Sequence, residues 1–518
     1  MIWALPLLVT LVATAEVKGT PEPCGCTSDP LGDVARVATL AKGGLWLDAG
    51  SLLYNREELS KERTPQADAT AGALAHIYGG ARVGLGADDL ARGAARVKPP
   101  RQACNIARGM ALEAPRVETI DGVHIGVFGV AAPERVKPLR ASEPVAAAKR
   151  AVAALRKKGA QVIVALCGMD RLETRALVKA VPGVTFAVVG AEVGDGMAEP
   201  EPVTAGEATA GEATAWLMAP ADLARYAVKL GVEWRGEGPM ALYAGEAARK
   251  LTAARAERRM ATLKAQLVEW RKDPTADKAF VAERQKEYDK LVADYQALQH
   301  GAPPPPPSTG NWFSYELVPV RHVIPRDPGV ADELERLAKT IGDTNFAAAK
   351  NQPAPLAEAG VPTYVGMAAC EKCHKPAVAF WKKTVHATAW KTLVEVDKQY
   401  HYDCIGCHVT GWEKPGGSNL GSVEKRGLVD VQCETCHGPG SKHVAEEGLD
   451  DPRTIVTRPP ERFCADNCHT KEHSDTFALV PYLRDILGKG HGEKARAALG
   501  SGPTGHELRQ KALAAAGR

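Results

Sequence analysis

The spacing of hydrophobic and polar positions changes several times along this chain, and each change marks a different kind of element. Short apolar runs alternate with amphipathic stretches from residue 33 onward. Residues 33–42 read as a helix, 45–48 as a buried strand, 123–130 as a strand, 145–158 as a helix, and 161–167 and 184–189 as further strands. Buried strands separated by helices predict a layered α/β domain over residues 20–235. Residues 241–300 then turn rich in Ala, Arg, Lys and Glu. Ala256, Met260, Leu263, Leu267 and Trp270 step by four and three, Asp273-Pro274 interrupts, and Val281, Tyr288, Leu291, Tyr295 and Leu298 resume. That is the pattern of a helical hairpin with a coiled-coil seam, expected to be a structural arm or the seat of a homodimer. Pro303 to Pro307, within a 301–310 linker, predict a stiff spacer. Residues 311–324 read as a strand and 330–341 as a short helix, so that 311–345 completes the α/β domain. A mostly helical region follows over 362–495, with a C-terminal helix over 496–518.

The first fifteen residues are apolar and end in Ala13-Thr14-Ala15, the small-residue pattern of a signal-peptidase site. The run is too short for a spanning helix, and no later segment is apolar enough to be one. No Lys or Arg precedes Lys18, so the basic start of a signal is missing. Residues 1–15 are nevertheless expected to be a signal peptide, with a retained N-terminal anchor and membrane association as the alternative. At 518 residues, 45% hydrophobic and 25% charged, the chain has room and composition for two or three globular domains. A net charge of +3 leaves no footprint of nucleic-acid binding.

One motif recurs four times in the last third: Cys370-Glu-Lys-Cys373-His374, Cys404-Ile-Gly-Cys407-His408, Cys433-Glu-Thr-Cys436-His437 and Cys464-Ala-Asp-Asn-Cys468-His469. Two thiols about one helical turn apart can bond to the vinyl groups of a haem, and the adjoining histidine supplies an imidazole to its iron. A zinc ribbon or a disulfide framework would use the cysteines but leave the four recurring histidines unexplained. The fourth copy has one extra residue between its cysteines. Four covalently bound haem c groups are expected. Such attachment is completed outside the cytoplasm, which places the protein in the periplasm.

Each iron needs a sixth ligand or keeps an open position. Met367 is the last methionine, so histidine is the expected ligand and the haems are expected to have low potential. His386, His401, His443, His473, His491 and His506 are available. His386 lies at helical spacing from Trp381 and Trp390, His443 follows a Gly438-Pro-Gly turn, and His473 stands four residues after its own signature. These three are favoured; His401 and His491 are further candidates, and His506 reads as a solvated side chain.

The order of these motifs, with Trp381-x-x-x-x-His386-Ala after the first signature and Gly-Pro-Gly-Ser-x-His443 after the third, resembles the tetrahaem cytochrome c-554 family over about residues 362–495. The resemblance implies haems stacked in close pairs, mostly bis-histidine, with one five-coordinate iron and with His386, His443 and His473 as ligands. The widened fourth signature departs from the family's common pattern.

The N-terminal domain resembles the metallophosphatase fold of periplasmic 5'-nucleotidases. Leu47-Asp48-Ala49-Gly50-Ser51 stands where that family reads Asp-Ala-Gly-Asp, Gly84-Leu-Gly-Ala-Asp88 where it reads Gly-Asn-His-Glu, and Val189-Gly-Ala-Glu192 where it reads Gly-Gly-His-x-His. Ser51 replaces a carboxylate and the histidines are missing, whereas two-metal hydrolysis needs both ions held by such side chains. Ordinary phosphatase activity is therefore not expected. Cys24-Gly-Cys26 is aligned with the family's opening Asp-x-His, and Cys167 falls near a strand-end histidine. With Cys104 these form either disulfides or a thiolate site for a soft metal. Cysteines one residue apart rarely pair with each other, so Cys24 and Cys26 are expected to need Cys104 and Cys167.

The reading that needs fewest assumptions is an electron carrier working between periplasmic redox proteins. A redox enzyme acting on a small nitrogen or sulfur compound at an open haem is the alternative, and a phosphoesterase ranks last.

Overall fold

A computed structural model describes residues 8–192, 194–205, 215–243, 245–272, 277–300, 305–450 and 453–518. The Asp273-Pro274 break and the start of the proline run, Pro303 and Pro304, lie outside the described residues. The chain forms two compact units. The first comprises Met1–Lys18, Leu40–Leu52 and Tyr78–Pro319, and the second Gly19–Thr39, Leu53–Ile77 and Val320–Arg518.

In the first unit a six-stranded sheet is centred on Val9–Thr14, which pairs antiparallel with Tyr226–Glu233 and parallel with Leu45–Asp48. The stretch that reads as a signal peptide is thus a central strand, with Val9, Leu11, Val12 and Ala13 buried. Its apolar character is explained by neighbours on both sides. Asn311–Pro319 pairs along Tyr226–Glu233, and Phe313 on it packs edge-on against Phe186 and Trp216, at 4.9 and 5.1 Å.

Those two aromatics belong to a second six-stranded sheet, built around the parallel strands Val123–Ala131, Val162–Gly168 and Phe186–Val189. Every residue of Val162–Gly168 is buried, as expected of a strand covered on both faces. One face shares a core with the first sheet through Leu11, Leu47, Val127, Val164 and Leu230. The other is covered by Pro144–Lys157 and Arg171–Ala180, which bury Val152, Leu155, Leu177 and Val178. Glu143 caps the first of these helices, and an Asp170/Glu173 capping box starts the second. Gly245–Lys272 and Lys278–His300 form the hairpin, with Leu263 and Leu267 buried in its own seam and Trp270 edge-on to Phe280.

The second unit takes in residues 19–39 and 53–77, which the sequence pattern assigns to the α/β domain. Helix Thr64–Ile77 packs on helix Pro328–Ala349, and Gln66 just inside it bonds Asp403 at 2.6 Å. Pro328–Ala349 is far longer than the expected 330–341. Asp327 caps it, Pro328 opens it, and burial of Ile341, Asn345 and Ala349 carries it past Gly342. The rest is short helices and turns around a small core of Ile405, Val409, Leu420, Val423 and Leu428. Among the described residues no helix is long and apolar enough to cross a membrane.

Candidate haem sites

Short helices hold the signatures: Met367–Glu371 running into Lys375–Trp381, then Tyr402–His408, Cys433–His437 and Arg462–Asn467. In the first, the His374 N–H donates to the Cys370 carbonyl four residues back, at 2.9 Å. In the widened fourth, the His469 N–H donates to the Cys464 carbonyl five residues back, at 2.8 Å. A single wide turn of this kind absorbs the extra residue and keeps the histidine next to its cysteines.

Signatures meet in pairs. The thiols of Cys370 and Cys433 lie close enough that the first is raised and the second lowered, which joins the first signature to the third, and Cys468 and Cys407 do the same between the fourth and the second. Burial pushes Cys404 and Cys436 up to about 11, so these thiols are held neutral. Met367 lies against Cys433, sulfur to sulfur 3.9 Å.

Three signature histidines each face a second histidine. His374 and His443 have ring centroids 6.4 Å apart, His386 and His469 6.3 Å, and His437 and His491 6.1 Å. Two imidazoles bound to one iron from opposite sides, each with a metal–nitrogen bond of about 2 Å, would have their centres about 6.3 Å apart. The chain therefore fits haem iron at these three places. His408 stands outside the three ring pairs.

Hydrogen bonds at Nδ1 leave Nε2 available as the ligating atom. The Nδ1–H of His408 donates to the Ala389 carbonyl at 2.6 Å, that of His437 to Val456 at 2.6 Å and that of His491 to Ile486 at 2.7 Å. His443 Nδ1 lies 3.0 Å from Asp450, whose carboxyl is held below the usual range by the Thr454 N–H and by His443. Burial lowers both His386 and His469, the latter to about 4, which keeps them as the neutral imidazoles that bind metal.

His491 is one of the two histidines the sequence leaves as lesser candidates, and His473 is not opposite a signature ring. The His473 Nδ1 instead lies 2.8 Å from the Thr470 hydroxyl. The glycines at 488, 490 and 492 explain His491. They let a tight turn form, in which Gly488 and His491 exchange backbone bonds of 2.7 and 2.9 Å, and this turn presents the ring. A histidine flanked by glycines was the readable signal. His401 is buried, with its Nε2 bonded to the Ala338 carbonyl at 2.9 Å. The His506 backbone N–H donates to Asp485.

Sequence reading also misses Glu434, inside the third signature. Its buried carboxylate accepts from the N–H groups of Val365, Gly366 and Gly440 at 2.7 to 3.1 Å and ties that signature to the chain before the first.

In the first unit the residues that the sequence compares with a metallophosphatase's metal loops form a hydrogen-bond network. The Asp89 carboxylate accepts from the N–H groups of Ser51, Leu52 and Gly86 at 3.0 to 3.1 Å and pairs with fully buried Arg101 at 3.0 Å. Ser51 itself has a φ of 55°, and Gly86 is needed beside it, because a Cβ there would lie 2.1 Å from the Ser51 nitrogen. Among the described residues no group of three or more His, Cys, Asp or Glu side chains could hold a metal ion. Cys24 and Cys26 lie beyond the strand Val9–Thr14, in the second unit. They form a disulfide with each other across Gly25, with Cα atoms 5.3 Å apart. The expected pairing with Cys104 and Cys167 fails. Those two are free thiols in the first unit, each pushed up to about 12 by burial.

Comparison with known proteins fits these sites. Residues 369–438 match the family described as cytochrome c554 and c-prime. They form a cytochrome c554 domain. Cytochrome c-554 of Nitrosomonas europaea is 37% identical over 92 residues, which is 15% of this chain and 39% of that protein. The chain thus spans about two-fifths of that relative's length. The family implies covalent haem c and a location outside the cytoplasm. In fold, the sheets of the first unit resemble nucleotidases. A 5'-nucleotidase precursor from Thermus thermophilus superposes with a TM-score of 0.42 at 16% identity, covering 67% of this chain and 61% of that one. NAD nucleotidase from Haemophilus influenzae gives 0.37 at 16% identity, over 45% and 48%.

Proposed function

We propose that this chain is a periplasmic cytochrome that binds four haems and passes electrons between redox proteins, its first unit serving to dock a partner or bind a ligand without hydrolysis. The supporting observation is the set of three facing histidine pairs at 6.1 to 6.4 Å. When bound, haem c supplies a one-electron iron couple. His374 with His443, His469 with His386 and His437 with His491 would close both sides of three irons, leaving no position for a substrate. The contacts between the first and third signatures, and between the second and fourth, would bring haems close in pairs for transfer. Asp450 and the carbonyls of Val456 and Ile486 would orient the ligating rings.

His408 favours a second reading, in which a small nitrogen or sulfur compound reacts at this signature, whose histidine stands outside the ring pairs among the described residues. Low-temperature electron paramagnetic resonance with haem quantified as pyridine haemochrome tests both. Four haems per chain, three of them low-spin, are expected, with one high-spin signal that shifts on adding nitric oxide. Four low-spin haems would leave a carrier alone, and fewer than four haems would overturn the proposal.

A further inference from the structure

The Cys24–Cys26 disulfide closes a loop of three residues. So short a loop constrains the unfolded chain far less than a long one, and the bond joins no two elements of the fold. Other contacts already hold the segment in place. Arg326 pairs with Glu22, Arg321 with Asp29, and the Ser28 N–H donates to Asp475 at 3.0 Å. Between these anchors Cys24 and Gly25 are exposed. Exposed disulfides are the labile and reactive ones, open to exchange with an outside thiol.

The anchor at Asp475 leads to the fourth signature. Two residues on, Phe477 stacks on the His469 ring, with centroids 4.8 Å apart and planes 13° from parallel. Arg509 pairs with Asp475 at 3.6 Å, and its guanidinium also reaches the Thr27 carbonyl at 3.5 Å. A continuous path of bonded and stacked groups therefore runs from Cys26 through Thr27, Ser28, Asp475 and Phe477 to His469.

We propose that Cys24 and Cys26 are a two-electron thiol–disulfide centre that exchanges electrons with the haem held by His469. This rests on the electron-transfer reading above. In reduction, the disulfide takes two electrons, one from each of two ferrous haems, and two protons from water. The S–S bond breaks and two thiols form, while two irons become ferric. The Cys24 thiolate then attacks one sulfur of an external disulfide and releases one thiol. Cys26 attacks the mixed disulfide, restores the Cys24–Cys26 bond and releases the second thiol. Run backwards, the same steps pass electrons from external thiols to the haems. The class of substrate is a small or peptide disulfide or its dithiol.

The test is an anaerobic reductive titration of the full haem-loaded chain, with electrons counted against the haem absorbance and samples quenched in iodoacetamide for mass mapping. Wild type is expected to take up two electrons more than the Cys24→Ser/Cys26→Ser variant for the same haem change. Cys24 and Cys26 should be alkylated only after the haems are reduced. Thiol mapping in wild type decides the matter even if the variant folds poorly. Equal electron uptake, alkylation before any reduction, or unmodified cysteines after full haem reduction would each overturn the proposal. Haems that never accept electrons would instead remove the electron-transfer reading, and this inference with it.

Discussion

The rings of His437 and His491 stand at 88° to each other, whereas those of His374 and His443 lie 16° from parallel. Crossed imidazole planes leave two iron d orbitals nearly equal in energy, and parallel planes split them. The oxidised protein is therefore expected to show at least two kinds of low-spin signal, one with a single very large g value and one rhombic. His491→Ala should abolish the large-g signal, convert one haem's worth of iron to high spin and leave the rhombic signal intact. Loss of the rhombic signal instead would mean that His491 serves another iron.

The Glu434 carboxylate accepts from the backbone N–H groups of Val365, Gly366 and Gly440. Leaving buried donors unpaired costs about 1–3 kcal/mol each. Glu434→Ala should thus destabilise the region around the first and third signatures by about 2–5 kcal/mol. Limited proteolysis should cut it near residue 365, and haem content per chain should fall. Glu434→Gln, which keeps an acceptor, should lose less than half as much. Equal stability of the alanine variant would show that water replaces the carboxylate.

Val9–Thr14 cannot be removed without taking the centre out of a sheet. Its two neighbours, Tyr226–Glu233 and Leu45–Asp48, would each lose a full ladder of hydrogen bonds and a buried apolar face. N-terminal sequencing or intact mass of the exported protein is expected to find Val9 to Ala15 still present. A chain cleaved after Ala15 that still protects Leu45–Asp48 from hydrogen exchange would refute this.

That strand shows where sequence reading ran out. The signatures were legible because covalent haem attachment fixes both residue types and spacing, and the parallel strands because burial on both faces leaves continuous apolar runs. An apolar run near the start of a chain, however, serves export or a central strand equally well, and only its pairing decides. The cysteines show the same limit. Spacing argued against a bond between Cys24 and Cys26, but which thiols pair depends on how the units divide, and Cys104 and Cys167 fall in the other one. Which histidines face the signature rings is set by long-range packing. His443 and His386 stand in local motifs that mark them as expected ligands, whereas His491 comes to face His437, more than fifty residues away, through a glycine turn.

The Asp89 carboxylate is occupied by the Ser51 N–H and by Arg101, and among the described residues no group of three or more His, Cys, Asp or Glu side chains could hold a metal ion. Phosphatase assays with manganese, zinc or calcium on nucleotide and sugar-phosphate esters should give no turnover above that of a Ser51→Ala variant. Chelator-sensitive hydrolysis that the variant lacks would contradict this.

Two buried carboxyls make the first unit sensitive to pH. Burial raises Asp48 to about 7, against bonds from the Thr14 hydroxyl and the Gly50 N–H, and raises Glu16 to about 7 despite Lys18 at 3.1 Å. Both values lie above those of an unfolded chain, 3.8 and 4.5. The folded unit thus binds more protons than the unfolded one through that interval. The stabilisation that follows is complete below the unfolded values and is lost as pH rises through about 7. For Asp48 the span is about 2–4 kcal/mol. Asp48→Asn keeps the shape and, with its amide donating to Thr14, the hydrogen bonds, but cannot ionise. Hydrogen exchange in Val9–Thr14 and Leu45–Asp48 should therefore speed up between pH 5 and 8 in wild type by more than the intrinsic rate rises, and should follow the intrinsic rate more closely in the variant. The same excess in both proteins would assign the pH dependence to Glu16 or to another group.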